Sequence, residues 1–304
     1  MIDVLCIGHA AFDVVLTMDR YPSENEKYAL DVKLESGGGP AANASFLLSG
    51  WGARAAFMGQ VGDDVYGHSI IRELESGGVD ISLLRISTTV PTPYSTILVN
   101  TGNGSRTILN FRQKPELFEI PVSQMKTLNP SILLFDGHEP EASFEALKLF
   151  PNALSILDAG SVKESTLALA KLVDYLITSE SFALNFCDIA SFDSNNAVLC
   201  LEKLNAVGIG RVVVTLGEQG LFYWDTGQLV HLPAYPVKPV DTTGAGDLFH
   251  GAFAYGLLQG YTFEDNLQFS AAAAALSVRK LGGRPSIPTL QEVLSYTEQN
   301  QLGP

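Results

Sequence analysis

The stretch that decides the fold is Asp241–Gly260, DTTGAGDLFHGAFAYGLLQG. Its front half is small, flexible and polar. Its back half sets apolar residues at helical spacing: Leu248, Phe249, Ala252, Phe253, Leu257 and Leu258. The pattern predicts a helix opening near Gly244. A cap alone needs one Ser, Thr or Asp, yet Gly244, Ala245 and Gly246 stand there, followed at once by Asp247. Glycines let a backbone approach a phosphate closely and turn its N–H groups toward it. The helix dipole adds about half a positive charge at that end, so Asp247, in the first turn, is expected to be ionised. A carboxylate beside an anion hole suits one task. It accepts a proton from a substrate hydroxyl while the hole steadies the phosphoryl group under attack. The plainer alternative is a glycine-containing loop in which Asp247 only complements the dipole. No Walker A pattern occurs, which argues against a P-loop kinase.

Upstream of this stretch, short apolar runs alternate with amphipathic ones. IDVLCIG, ARAAFMGQVG, SILLFDG, ALSILDAG, VDYLITS and RVVVTLG read as buried strands. AANASFLLSGWG, YGHSIIRELESGG, PEASFEALKLF, SVKESTLALAKLV and NNAVLCLEKLNAVG read as helices, with a last surface helix from Thr289. Strands separated by helices predict an α/β fold: a central, mostly parallel sheet with right-handed crossovers and helices on both faces. Two segments break the alternation, at about residues 14–36 and 92–113, and look like β-hairpins; Asn103-Gly104 is a turn signal in the second. They are expected to pair into a small β-sheet lid over a cleft at the strand ends, where ligands bind in open α/β sheets. Edge decoration of the large sheet is the alternative.

The 304 residues, 46% apolar and 17% charged, suit a soluble globular chain read as a single domain over 1–304. No apolar run approaches the roughly 18 to 20 residues of a membrane span, and the opening MIDVLCIGHAAFDVV reads as a first strand, not a signal peptide. A net charge of −14 argues against nucleic acid or an anionic membrane as partner. A local ring of N–H groups can still hold an anion. Cys6, Cys187 and Cys200 show no metal or redox spacing, so three thiols point to a reducing, cytoplasmic location, where the sequons at Asn43 and Asn103 are accidental.

Two further features bear on chemistry. SGGGPAANASFLLSG, Ser36–Gly50, places Gly37, Gly38 and Gly39 before Pro40, with Asn43 near a helix start. Backbone bared by glycines can donate to sugar hydroxyls, and Asn43 offers both donor and acceptor; an ordinary Gly-rich loop with Pro in the first turn is the alternative. Asp13, expected just beyond the first strand, could grip two hydroxyls or be a surface aspartate.

GGGPAAN near the front and DTTGAGD near the back resemble the two signatures of the PfkB (ribokinase-like) carbohydrate kinases. GQVGDDVYG and VTLGEQG resemble the family's other recurring stretches, in the expected order, so the likeness spans nearly the whole chain. With GGRPSIP, the motifs look most like the branch containing sulfofructose kinase. The resemblance implies the ribokinase-like fold and an ATP-dependent kinase, with Mg²⁺, for a hydroxyl of a small sugar-like substrate. It implies that Asp247 is the catalytic base and Gly244, Ala245 and Gly246 the anion hole. Asp13, Gly38, Gly39 and Asn43 fall at sugar-binding positions, and Thr215 and Gly217 at nucleotide-binding ones. Asp241, Thr243 and Ser286 fall where some members hold a monovalent cation such as K⁺, although Asp241 reads equally as a turn residue. One departure stands out. Many members carry Asn-x-x-Glu after the strand DYLITS, where it organises Mg²⁺ and water; here Ser179 and Phe182 occupy those places, so either Glu180 substitutes in part or Mg²⁺ is left mainly to the nucleotide phosphates and water.

At the far end of the substrate, Lys27 and Asn110 on the lid segments and His138 at a strand end are candidate contacts, with Arg112 as a further cation. In that branch a basic set there suits an anionic substituent. A solvated Lys27 and a structural His138 are the alternatives. The rivals are a nucleoside kinase of the same fold, which needs an apolar base pocket by the lid, and a binding or regulatory protein without turnover. Family members often dimerise through the lid sheet, and Ile97, Val99, Ile108 and Phe111 would serve either that contact or the cleft.

Overall fold

The computed structural model describes residues 2–30, 32–113, 119–208 and 210–300. The first half runs β1 (Val4–Ile7), β2 (Ala11–Met18), β3 (Lys33–Gly38), α1 (Pro40–Gly50), β4 (Ala55–Met58), β5 (Gln60–Gly62), α2 (Val65–Ser76), β6 (Arg85–Ser87), β7 (Tyr94–Asn100) and β8 (Arg106–Phe111). The second runs α3 (Val122–Leu128), β9 (Ile132–Phe135), α4 (Pro140–Leu149), β10 (Leu154–Ala159), α5 (Glu164–Ala170), β11 (Tyr175–Ser179), α6 (Glu180–Cys187), α7 (Ser194–Asn205), β12 (Arg211–Thr215), β13 (Leu221–Asp225), β14 (Gln228–Leu232), α8 (Ala245–Leu258), α9 (Phe263–Ser277) and α10 (Leu290–Gln299).

β4, β1, β9, β10, β11 and β12 pair in parallel and in that order, and antiparallel β13 and β14 finish one edge. Alternate side chains of each strand leave on opposite faces, and two cores result. Val4 and Cys6 of β1, with Leu134, Ile156, Ile177 and Val213, pack under α1, α8 and α9. Leu5 and Ile7, with Leu133, Phe135, Leu157 and Val214, pack under α4, α6 and α7. Strands buried on both faces explain the unbroken apolar runs such as VLCI and ILLF. Local chemistry sets the helix ends: Asp64 caps α2, Thr262 caps α9, and Thr289 with Glu292 forms a capping box on α10.

The two excursions form a four-stranded sheet in the order β3-β2-β7-β8. Its inward face carries buried Val15, Ile97 and Val99, packed against Leu34 and Leu281. Ile97 and Val99 therefore offer nothing to a second copy. Ile108, Leu109 and Phe111 are the exposed apolar residues of β8.

Three sequence expectations change. The opening run is two strands, and Asp13 lies inside β2, not beyond a first strand. ARAAFMGQVG is also two strands: β4 joins the main sheet, whereas β5 pairs with β6 in a separate two-stranded ribbon. They part at Gly59, where the chain passes so close to the Gly8 carbonyl that a Cβ would overlap it. Cys187 and Cys200, 13 residues apart, form a disulfide with Cα atoms 5.7 Å apart, and buried Cys6 is the free thiol among the described residues. Packing of α6 on α7 decides that pairing, so no local spacing announces it. Among the described residues, no helix is long and apolar enough to cross a membrane.

Candidate active site

Asp13 of the small sheet, Asp158 of β10 and Asn43 of α1 come together around Asp247 at the start of α8. Gly244 is the N-cap of α8, in the left-handed region at φ 76°, and no side chain caps the helix. The Gly246 and Asp247 N–H groups have no backbone acceptor among the described residues. A Cβ on Gly246 would meet nothing within 4 Å, so this helix end opens to space. One on Gly244 would come 3.0 Å from Gly283 Cα, so glycine serves both the turn and the close approach. The result is a set of unpaired donors at a helix N-terminus, suited to an oxyanion.

Asp247 follows directly. Its Oδ2 accepts a 2.7 Å hydrogen bond from Asn43 Nδ2 of α1. The helix dipole favours the ionised form of Asp247. Against it, burial first, then the negative charge of Asp158 at the end of β10, pushes its pKa up to about 7, while the Asn43 hydrogen bond lowers it. Desolvation of a carboxylate outweighs the half charge of a helix end.

Asp13 is 7% exposed and belongs to the same group. Burial, then the charge of Asp247, pushes it to about 6, while a hydrogen bond from Ser95 opposes the shift. Gly38 lies against it, where a side chain would overlap the carboxylate, and Gly39, at φ 97°, similarly abuts the His9 carbonyl. Across the small sheet Ser36, Asp13, Ser95 and Asn110 stand directly opposite one another on β3, β2, β7 and β8. Residues opposite in register share a face, which puts exposed Asn110 on the Asp13 side. Arg106, four residues before it, bonds the Thr242 hydroxyl and so ties this sheet to the loop before α8.

At the ends of β9 and β10 a basic group surrounds one buried carboxylate. Asp136 accepts from the His9, Ala41 and His138 N–H groups at 2.7, 3.2 and 3.0 Å. Its Oδ1 lies 3.1 Å from His138 Nδ1. Burial alone would raise its pKa, but the charge and hydrogen bonds of His138 and the His9 N–H hold it below the usual carboxylate range. His138 stacks on His9 with centroids 4.8 Å apart, and Lys163 Nζ lies 3.5 Å from His138 Nε2. Burial, then His138 and Arg112, pushes His9 down to about 3, and burial and Arg112 lower Lys163. Sequence reasoning missed His9, Asp136 and Lys163. Lys27 is exposed between β2 and β3 and makes no hydrogen bond or ion pair to any of these groups among the described residues.

Thr215, at the end of β12, donates its hydroxyl to the Thr178 carbonyl at 3.1 Å, and Gly217, at φ 58°, starts a 3₁₀ turn with open space at its Cβ position. Ser179 caps α6, accepting from the Phe182 N–H at 3.1 Å, and Phe182 is fully buried in the core. Neither is free to organise a metal. Asp241 is 1% exposed; its Oδ1 accepts from the Thr243 N–H and hydroxyl at 2.9 and 2.7 Å, and its Oδ2 from Gly282 N–H at 2.8 Å. Ser286 donates instead to Gly283 O at 2.6 Å. Three donors fill most of about four acceptor sites on a carboxylate, so Asp241 braces the two loops beside α8 and leaves little of itself to a cation. No cluster of three or more His, Cys, Asp or Glu suited to a metal exists among the described residues.

Known proteins share this fold. The ribokinase of Bacillus subtilis is 28% identical over 303 residues, covering 96% of this chain and 98% of its own. The structure of Thermotoga maritima ribokinase superposes with a TM-score of 0.79 at 28% identity, covering 98% of this chain and all of that one (100%). That of Arabidopsis thaliana ribokinase, complexed with ribose and ATP, superposes at 0.81 with 24% identity and covers 97% and 98% of the two chains. A ribokinase-like α/β fold is thus shared over nearly the full length. The profile of the pfkB family carbohydrate kinases matches residues 1–290, and the chain belongs to that family of kinases.

Proposed function

We propose that this protein transfers the γ-phosphoryl group of ATP to a hydroxyl of a small sugar or sugar derivative. The observation that carries the reading is Asp247 at the open end of α8, its Oδ2 held by Asn43 and its own and the Gly246 N–H groups without a backbone acceptor among the described residues. Asp13 and the Gly38–Gly39 backbone grip the acceptor's hydroxyls. Asp247 takes the proton of the attacking hydroxyl; the oxygen forms its bond to the γ-phosphorus as the bond to the β-phosphate oxygen breaks, and ADP leaves. The N–H groups of residues 244–246 steady the moving phosphoryl oxygens. Thr215 and Gly217 lie on the nucleotide side, two strands beyond β10. Mg²⁺ would be held by the nucleotide phosphates and water and would supply neutralising charge. No step is derived through a monovalent cation, because Asp241 is already engaged.

The small sheet acts as the lid over the acceptor, with Asn110 facing it. Lys163 and Arg112, which form no ion pair among the described residues, stand with His138 at the far end and favour a polar or anionic substituent over a nucleoside base. The protein belongs, on this reading, with its nucleotide in the cytoplasm. The test is ADP release with a panel of neutral sugars, sugar acids, phosphates and sulfonates, and nucleosides. Turnover with a sugar member supports the reading. A nucleoside as best substrate overturns the acceptor assignment, and ligand binding without turnover overturns the kinase assignment in favour of a regulator.

A further inference from the structure

One buried charge near the site has no part in the chemistry above. Arg284, in the GGRPSIP turn before α10, is 5% exposed. Its Nη1 donates to Glu73 Oε2 of α2 at 2.7 Å, its Nη2 to Gly38 O at 3.4 Å and its Nε to Asn43 Oδ1 at 3.1 Å. The same Glu73 oxygen accepts from Gly37 N–H at 2.6 Å. A side chain at Gly37 would overlap both the guanidinium and the Glu73 carboxylate. Glycine there makes room for this pair as well as for a bare backbone.

The chemistry of the donors fixes a direction. Arginine only donates, so the end of the Asn43 amide facing it must be the oxygen. The NH₂ end must then face Asp247, and that carboxylate oxygen must accept. The amide orientation is thus dictated by the guanidinium, and a chain Glu73–Arg284–Asn43–Asp247 runs through hydrogen bonds of 2.7, 3.1 and 2.7 Å. It occupies Oδ2 of Asp247 and leaves Oδ1 for an incoming hydroxyl. With Arg284 gone, the Asn43 oxygen loses its donor, and whenever Asp247 is protonated the amide is free to flip and accept from it.

We propose that Arg284, braced by Glu73, is a positioning residue for phosphoryl transfer: it locks the Asn43 amide and thereby aims the free oxygen of Asp247 at the acceptor hydroxyl. The inference rests on Asp247 being the base. A buried arginine is unfavourable unless well paired, and this one is paired at the point where α1, α2, β3 and the start of α8 meet. Its charge also acts on both carboxylates of the cleft. Those facing Asp247 are Asp13 on β2, Asp158 on β10, Arg106 on β8 and His250 on its own helix, together with Arg284.

The experiment compares R284M, R284K and the double variant E73Q/R284M with the wild-type chain, using the best acceptor from the substrate panel. For R284M the expected result is a kcat lower by about 10- to 100-fold, the scale of a misplaced reacting group, with KM for ATP within about twofold. The acid limb of kcat/KM moves to higher pH, because a neighbouring cation has been lost. R284K, which keeps the charge, returns the acid limb toward wild type. The double variant removes both ends of the buried pair and so keeps the fold, measured by Tm, while the kinetic defect stays. The proposal is overturned if R284M keeps the wild-type kcat and pH profile, or if the double variant regains both along with its Tm, which would make the arginine purely structural. Asp247→Asn, run alongside, separates the two ideas: an active D247N removes the base itself, whereas an inactive D247N with an unaffected R284M removes only the relay.

Discussion

Replacing Asp247 by Asn separates two consequences of burying this carboxylate. Its pKa is pushed from an ordinary 3.8 to about 7, a difference of about 3 units, which corresponds to about 4 kcal/mol at 1.36 kcal/mol per unit. Asp247 is partly accessible at the cleft floor, and solvent there reduces the figure to about 2 kcal/mol. The sign follows from linkage. A group whose folded pKa is raised is neutral and harmless below pH 4; its burden accrues as pH rises from about 4 to about 7 and is complete above that. D247N should therefore match the wild-type stability below about pH 4 and exceed it by about 2 kcal/mol at pH 8.5 in urea unfolding. Turnover should fall by about 10² to 10⁴, the scale of a positioned base, or about 3 to 5 kcal/mol on the barrier. A coupled ADP assay reads the second quantity on the same preparations. A D247N protein that turns over normally, or that is less stable than wild type at pH 8.5, refutes the reasoning: the first removes the base, the second the desolvation.

Other outcomes follow from the same geometry. The value of kcat/KM should climb with pH through about 7 as Asp247 ionises, and Asp158→Asn should move that climb to lower pH, because Asp158 is the main charge raising it; a pH–rate profile of both proteins checks this. Gly244→Ala forces a Cβ into the left-handed region at φ 76° and to 3.0 Å from Gly283. It should lose about 1–2 kcal/mol of stability and most of the activity, read by thermal melts and the ADP assay. Unfolding without reductant should expose one thiol, Cys6, and with reductant three; the 13-residue separation of Cys187 and Cys200 predicts about 3 kcal/mol lower stability on reduction. Thiol counting and urea melts with and without reductant settle both.

Much of the site was legible because two motifs carry it on local backbone. The glycines of GGGPAAN and DTTGAGD have few uses besides bare N–H groups and tight approaches, and each adjoins a helix start that periodicity also marks. What stayed hidden depends on distant side chains. Arg284 and Asn43 are 241 positions apart, and Arg284 and Glu73 are 211 apart. In GGRPSIP the serine is the residue that suggests a ligand, although the arginine is the one that reaches Asn43. Asp136 and Asp158 sit at the ends of ordinary-looking strands and Lys163 just before α5, and nothing in their neighbours tells which way these side chains turn. Ile97 and Val99 alternated correctly, yet alternation does not say which face of the small sheet is covered.

The sequence by itself determined the order of strands and helices, the opening of α8 at Gly244 and the chemical type of the groups there, because periodicity and glycine conformation are local properties of the chain. Only the tertiary structure decided the burial of Asp247 beside Asp158, the splitting of two predicted strands, the Cys187–Cys200 pairing and the contact of Arg284 with Asn43. These depend on burial and on distances between residues far apart in the chain. The field of one helix end, which the sequence reveals, is weaker than the desolvation that packing imposes.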